Sequence, residues 1–376
     1  MLKIPKTFCP GKWDDLHLNF NFNYAYGCCK ASPIIFVKDW NPILDQQKEN
    51  LLNGIQDPSC NYCWNVENSN GGISERYRYL KHFDESQFEL YKNNSIKPSV
   101  IEVNLGNECN FQCTYCNPKF SSKWETDMRT RPYRFKTDIR HYNVIEKKIN
   151  NIENNLNFLK DFKSIKVFNL IGGEPLQNKK LFKILNSIDV EIETLSITTN
   201  FSCNKKMLNK LIALADNYKT LRIGISIDST GDIAEFTRYG LDYKKWKENV
   251  EYLLINMRQN TEIIFLSLLT SLTIHDLNNT AEMIDTFTKS GKDIIWRLSY
   301  CVSPKIQSFN TLKEDVKIKY IQILEKLKNK NYIINSDSVI EALTSSEFDP
   351  KLHDELLHFI NEFSDRKNIK IPTCLS

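Results

Sequence analysis

Residues 99–116 read SVIEVNLGNECNFQCTYC, and this stretch decides the fold. Apolar and polar residues alternate from Val100, the period of a half-buried strand, and the run then breaks into Cys109, Cys113 and Cys116. With 11 cysteines in 376 residues, a Cys-x2-Cys pair arises by chance roughly 0.3 times, so Cys60/Cys63 and Cys113/Cys116 mean little alone. Three cysteines spaced x3 then x2 arise by chance only about 0.01 times, and directly after a strand they mark a site. Three thiolates on one short loop can hold three irons of a cubane cluster and leave the fourth iron to an external ligand. The alternative is a zinc knuckle completed by a distant histidine. It finds no zinc-like second pair among His17, His82, His141, His275, His353 and His358.

Composition narrows the class. A hydrophobic content of 41% fills a sizeable core, and 50 basic against 46 acidic residues leave a net charge of +4, too weak to imply nucleic-acid binding. Mean hydropathy of -0.44 argues against membrane insertion. The N-terminus MLKIPKTFCPGKWDDLHLNF lacks an apolar signal segment, so a reducing cytoplasm is expected and a disulfide framework is not.

The cysteine triplet resembles the motif of the radical SAM superfamily. The resemblance implies that Cys109, Cys113 and Cys116 bind a [4Fe–4S] cluster whose remaining iron is chelated by the amino and carboxylate groups of S-adenosylmethionine (SAM). It extends along the chain. The strand-like run Ser164–Ile171 ends in Gly172-Gly173-Glu174-Pro175, which looks like the family's GGEP element. Glycines there allow close backbone approach to a ligand, and the acidic side chain can accept from the methionine ammonium. The runs 195–200 (LSITTN) and 222–228 (RIGISID) resemble the elements beside the ribose and methionine, which makes Asn200, Ser226 and Asp228 candidates. Arg238 resembles an arginine that pairs with the SAM carboxylate. Tyr115, in the cysteine loop, is counted with the same pocket.

Strand-like runs at 100–106, 164–171, 194–200, 221–228, 261–269 and 293–301 alternate with amphipathic segments at 179–188, 205–217, 243–257 and 277–290. This predicts a parallel sheet covered by crossover helices, with sites at the C-terminal ends of the strands. The expected fold is α/β, a partial (β/α)6 radical SAM barrel over 96–310. A small auxiliary-cluster domain with a β-hairpin is expected over 1–95, and a helical segment packing on the barrel over 311–376. In the long connection after the cysteine loop, basic residues interleaved with Trp124, Tyr133 and Phe135 are a candidate contact for an anionic substrate or partner, though a solvated loop is the commoner reading. The stretch 143–161 reads as helical.

Cys9, Cys28 or Cys29, Cys60 and Cys63 resemble the twitch and SPASM modules that hold a second [4Fe–4S] cluster in this superfamily. Counting from a hairpin residue, Asn23, selects Cys28 over Cys29. A four-cysteine zinc site is the alternative for the same residues. A fully ligated cluster would serve electron transfer, with an external donor such as flavodoxin or ferredoxin. Cys203 and Cys301 are candidate hydrogen-atom donors at the barrel mouth. The resemblance makes oxidative modification of a peptide the leading reading, although only eight residues precede Cys9 and leave no room for an N-terminal peptide-recognition domain. A dehydrogenase or epimerase of a small molecule such as a sugar is the second. A non-catalytic iron–sulfur protein is the third, and an intact GGEP, Asn200 and Asp228 speak against it.

Overall fold

The computed structural model describes residues 4–19, 24–35, 41–68, 74–131, 133, 156, 159–160 and 162–375. Its strands are β1 Asp15–Asn19, β2 Tyr24–Tyr26, β3 Ile34–Ile35, β4 Val100–Asn104, β5 Gln112–Cys113, β6 Ser164–Ile171, β7 Glu191–Thr199, β8 Thr220–Ser226, β9 Arg238–Tyr239, β10 Thr261–Leu269, β11 Ile294–Tyr300 and β12 Ile333–Ile334. The fold is mixed α/β with mostly parallel strands, and the sheet does not close on itself. The chain divides into two compact units: residues 1–106, 146–172 and 180–196 form the first, and 107–145, 173–179 and 197–376 the second.

In the first unit β4 lies parallel between β6 and β1, and β1 continues antiparallel into β2 and then β3. The hairpin that precedes the cysteine loop in sequence is therefore an extension of the parallel sheet. Asn23, the residue from which Cys28 was counted, lies outside the described residues. A separate core of Phe8, Trp13, Leu51, Trp64, Phe88 and Tyr91 packs the N-terminal helices, with the Phe8 ring in contact with four other aromatic rings.

In the second unit β8, β10, β11 and β12 run parallel in that order, with Leu221 opposite Thr261, Ile263 opposite Ile294 and Trp296 opposite Ile333. Their inward residues, among them Ile223, Ile225, Phe265 and Leu298, are fully buried. The connecting helices Lys205–Ala213 and Tyr243–Asn256 begin where Asn204 and Asp242 accept from the backbone N–H three residues on, which satisfies a donor the first turn leaves open. Residues 311–375 contain the helices Glu314–Leu327, Ser336–Ser345 and Pro350–Lys367, and also β12, which the sequence reading lacks.

The idea that Trp124 and Tyr133 face a ligand is corrected here. Both are buried, at 0% and 3% exposure, in a core with Phe236, Phe359 and Phe363, because two large rings on a charged segment find their apolar surface against the C-terminal helix. Phe135 lies outside the described residues, as does most of 143–161. No helix among the described residues is long and apolar enough to cross a membrane.

One charged contact ties the hairpin to β4. His17 and Glu102 are register partners, with Nδ1 2.9 Å from Oε1, and Asp15 Oδ2 lies 3.6 Å from Nε2. Burial pulls the imidazole pKa down, but the hydrogen bonds and charges of Asp15 and Glu102 outweigh it and raise it from 6.5 to about 10. A base whose folded pKa is raised contributes stability that is complete below its unfolded value and lost as pH climbs through the folded one. The wild-type protein should therefore lose stability between pH 6.5 and about 10, and His17→Gln should flatten that slope. Denaturant midpoints across this range measure it; equal slopes would show that His17 is not charged in the folded state.

Candidate active site

The cysteine loop is fixed by backbone contacts within the second unit. β5, which contains Cys113, pairs antiparallel with β9, setting Cys113 opposite Arg238. The Trp124 indole donates to Cys113 O at 2.8 Å, and the Ser121 hydroxyl to Phe111 O at 2.7 Å. Gln307 clasps Thr114 twice, its Nε2 donating to Thr114 O at 2.7 Å and its Oε1 accepting from the Thr114 hydroxyl at 3.1 Å. The loop thus presents its three thiols on a backbone whose carbonyls at Cys109, Phe111, Cys113 and Thr114 already have partners.

Burial and neighbouring thiolate charge push Cys109 up to about 12 and Cys116 higher still, and burial raises Cys113 as well. Three thiols in mutual range, Cys113 buried and Cys109 and Cys116 partly so, ionise together only if a cation takes the charge, which is the chemistry of a thiolate-ligated iron cluster. Among the described residues no three His, Cys, Asp or Glu side chains converge on a single ion.

The GGEP turn follows β6. Gly172 and Gly173 have φ of +93° and +44°. A Cβ on Gly172 would lie 2.0 Å from Asn104 Oδ1, and one on Gly173 would lie 2.3 Å from Glu108 O. The close approach that demands glycine is therefore to the chain's own backbone and Asn104, where the sequence reading had a ligand. Glu174 is 1% exposed. Its Oε1 accepts from Leu176 N at 2.9 Å and the Thr199 hydroxyl at 2.6 Å, its Oε2 from Asn200 N at 2.5 Å, and its own N–H donates to Glu108 O at 2.7 Å. Burial raises its pKa against these bonds. Two acceptors of Oε1 and one of Oε2 are used, leaving one lone-pair site on Oε2. Pro175 opens the short 3-10 turn Pro175–Gln177.

At the end of β7 the Asn200 amide donates to Asn110 Oδ1 at 2.8 Å, linking that strand to the cysteine loop. At the end of β8 Ser226 is half-buried opposite Leu266. Asp228 and Arg238 form a buried ion pair at 2.9 Å, and the Tyr115 hydroxyl donates to the same Asp228 oxygen at 2.5 Å while accepting from Arg238 Nη1 at 2.6 Å. A guanidinium only 5% exposed needs this counter-charge. Its Nε is buried without a partner, a free donor of the kind a ligand carboxylate accepts. Cys203 and Cys301 are both buried, at 5% and 3% exposure; burial and the charge of Glu174 push Cys203 up to about 12.

The structure gathers a second set of thiols in the first unit. Cys9, Cys28, Cys60 and Cys63 lie within electrostatic range of one another, whereas Cys29 is exposed and interacts through Cys28. The Ser59 hydroxyl stands 3.8 Å from Cys60 Sγ, and the backbone amides of Gly11, Lys30 and Arg76 offset part of the burial that raises Cys9, Cys28 and Cys63. Such donors stabilise thiolate.

The superfamily model for radical SAM proteins matches residues 103–291, half of the chain. The chain belongs to the radical SAM superfamily. Family membership implies an enzyme that uses SAM and a [4Fe–4S] cluster, and the thiol loop together with the free Arg238 donor fits both. No curated protein matches the sequence. Among solved structures it is similar to Streptococcus suis SuiB bound to the precursor peptide SuiA, at 13% identity and a TM-score of 0.40, covering 88% of this chain and 61% of that one. It is also similar to SuiB bound to S-adenosylmethionine, at 12% identity and a TM-score of 0.41, covering 88% and 72%. The chain thus spans about three-fifths of the first of these structures.

Asn110, Thr199 and Gln307 carry contacts that sequence reading missed. Thr199 and Asn110 adjoin motif residues, which was the available signal; nothing near Gln307 in the sequence marks it.

Removing the Glu174 carboxylate strands a hydroxyl and two backbone N–H groups. Glu174→Ala should therefore cost at least about 2 kcal/mol of folding stability in the apo protein, besides weakening SAM binding. Denaturant unfolding and SAM titration check the two effects separately. An unchanged unfolding midpoint would show that the carboxylate does not hold these segments together.

Proposed function

We propose that this radical SAM enzyme carries a second, fully cysteine-ligated [4Fe–4S] cluster in its N-terminal unit and uses it in the oxidative modification of a peptide. The observation that carries the reading is the gathering of Cys9, Cys28, Cys60 and Cys63, three of them buried, within electrostatic range of one another. Four thiolates close a cubane, so that site suits an electron rather than a substrate. The peptide class rests on the resemblance to superfamily members with auxiliary clusters.

When bound, SAM and its cluster supply a 5′-deoxyadenosyl radical able to take a hydrogen atom from substrate. Cys109, Cys113 and Cys116 would hold that cluster. Glu174, through its remaining lone pair, and Arg238, through Nε, would orient the methionine ammonium and carboxylate; Asn200, Ser226 and Asp228 complete the pocket. Tyr115 and Asp228 fix the guanidinium so that its free donor is aimed before SAM arrives. Cys203 and Cys301, both buried, would have to be uncovered to reach a substrate radical. Reductant would come from a flavodoxin- or ferredoxin-type donor.

Anaerobically reconstituted protein should bind about eight irons, and the Cys109→Ala/Cys113→Ala/Cys116→Ala variant about half as many and form no 5′-deoxyadenosine with SAM and dithionite. Four irons with zinc in the remainder would overturn the second cluster. Cys60→Ala/Cys63→Ala, once shown to be folded, should still release 5′-deoxyadenosine yet fail to yield peptide short of two hydrogens. Mass spectrometry of short peptides encoded beside the gene follows the product. An equal ratio of 5′-deoxyadenosine to product in variant and wild type would make those cysteines structural and the chemistry redox-neutral.

A further inference from the structure

Lys12 is a lysine with almost no access to water. It is 1% exposed, three residues after Cys9, and its Nζ donates to the Ser59 hydroxyl at 2.9 Å. Ser59 Oγ stands 3.8 Å from Cys60 Sγ. The lysine stem runs along the residue before Cys28: a Cβ on Gly27 would meet Lys12 Cδ at 3.2 Å. The side chain is thus wedged among the segments that carry three of the four N-terminal thiols, and its charge acts on Cys60.

An ammonium has three donors and a large desolvation penalty, and a single hydroxyl does not offset it. Among the described residues no carboxylate lies within 4 Å of Nζ; Asp57, whose Oδ1 accepts from the same Ser59 hydroxyl at 2.5 Å, is joined to the cation through that bridge. Asp57 already accepts from Ser59 N and from the Asn50 amide. A four-thiolate cluster, by contrast, is an anion that gains one further negative charge on reduction, and a fixed cation beside it favours the reduced state.

We infer that Lys12 is the buried counter-ion that raises the reduction potential of the N-terminal cluster and so fits it to accept an electron. The inference rests on the auxiliary-cluster reading above. The step is a one-electron couple: a substrate radical gives up one electron and a proton, and the electron passes to the site Lys12 flanks. Lys12 touches no reacting atom and acts as a positioning charge. The electron is afterwards returned to the flavodoxin- or ferredoxin-type carrier.

The test uses the full chain with Cys109, Cys113 and Cys116 replaced by alanine, so that one cluster is read. Iron, sulfide and zinc are counted first; zinc, or no iron, overturns the auxiliary-cluster reading itself before any potential is measured. With about four irons present, Lys12→Met and Lys12→Arg are titrated with dithionite and followed by electron paramagnetic resonance. Lys12→Met should lower the relative stability of the reduced state at least tenfold, a shift of about 59 mV to more negative potential for one electron. Lys12→Arg, which keeps the charge, should hold the wild-type value. An unchanged potential in Lys12→Met would reduce Lys12 to the partner of Asp57 and overturn the inference. If Lys12→Met loses its iron, Lys12→Gln and Lys12→Arg decide: equal potentials in those two overturn it, and a more negative value in Lys12→Gln supports it.

Discussion

A buried carboxylate with three donors is the joint on which the site depends. Glu174 holds the turn after β6 to the end of β7 through Thr199 and Asn200, while its own N–H reaches Glu108 just ahead of the first cysteine. Each bond joins segments distant in sequence, and none is exposed to competition from water. Arg238 works similarly, pairing with Asp228 two residues past β8 and donating to the Tyr115 hydroxyl of the cysteine loop. The motif residues act on one another first, and they meet a ligand only with the valences left over.

Much of this was legible in the sequence, for reasons that can be stated. Two strands, Ser164–Ile171 and Thr261–Leu269, fall where periodicity puts them, since apolar runs bounded by turn residues have few other solutions. The motifs after successive strands come together because strand ends of one sheet share an edge. What was illegible depended on distant partners. β12 is two isoleucines whose strand character exists only beside Trp296 and Arg297 of β11. Trp124 and Tyr133 look like surface aromatics among arginines until Phe359 and Phe363 cover them. Lys12 offers no hint of burial, because a lysine in FCPGKW reads as solvent-facing by residue type alone.

The N-terminal thiols show how a loop-rich segment can shape a site without a motif. The cysteines at 9, 28, 60 and 63 share no local spacing beyond one CxxC, yet the packing of Phe8, Trp13 and Trp64 brings the segments that carry them within electrostatic range of one another. Arg76 braces that packing, its guanidinium binding Glu67 at 2.6 Å and the carbonyls of Lys6 and Phe8 just ahead of Cys9. The placement of these thiols is thus a product of the aromatic core beneath them.

The clasp between Gln307 and Thr114 spans 193 residues, and the rings that bury Trp124 lie later still, at Phe359 and Phe363. Contacts so far apart close late, since the entropy of the intervening chain must be overcome before they form. On the ribosome the cysteine loop emerges long before the residues that pack it. Its thiols spend that interval uncovered, and metallation of the growing chain would meet a loop without its walls. A truncation that removes only the helix Pro350–Lys367, which holds no motif residue, would strip Phe359 and Phe363 from Trp124 while the Gln307 clasp stayed in place.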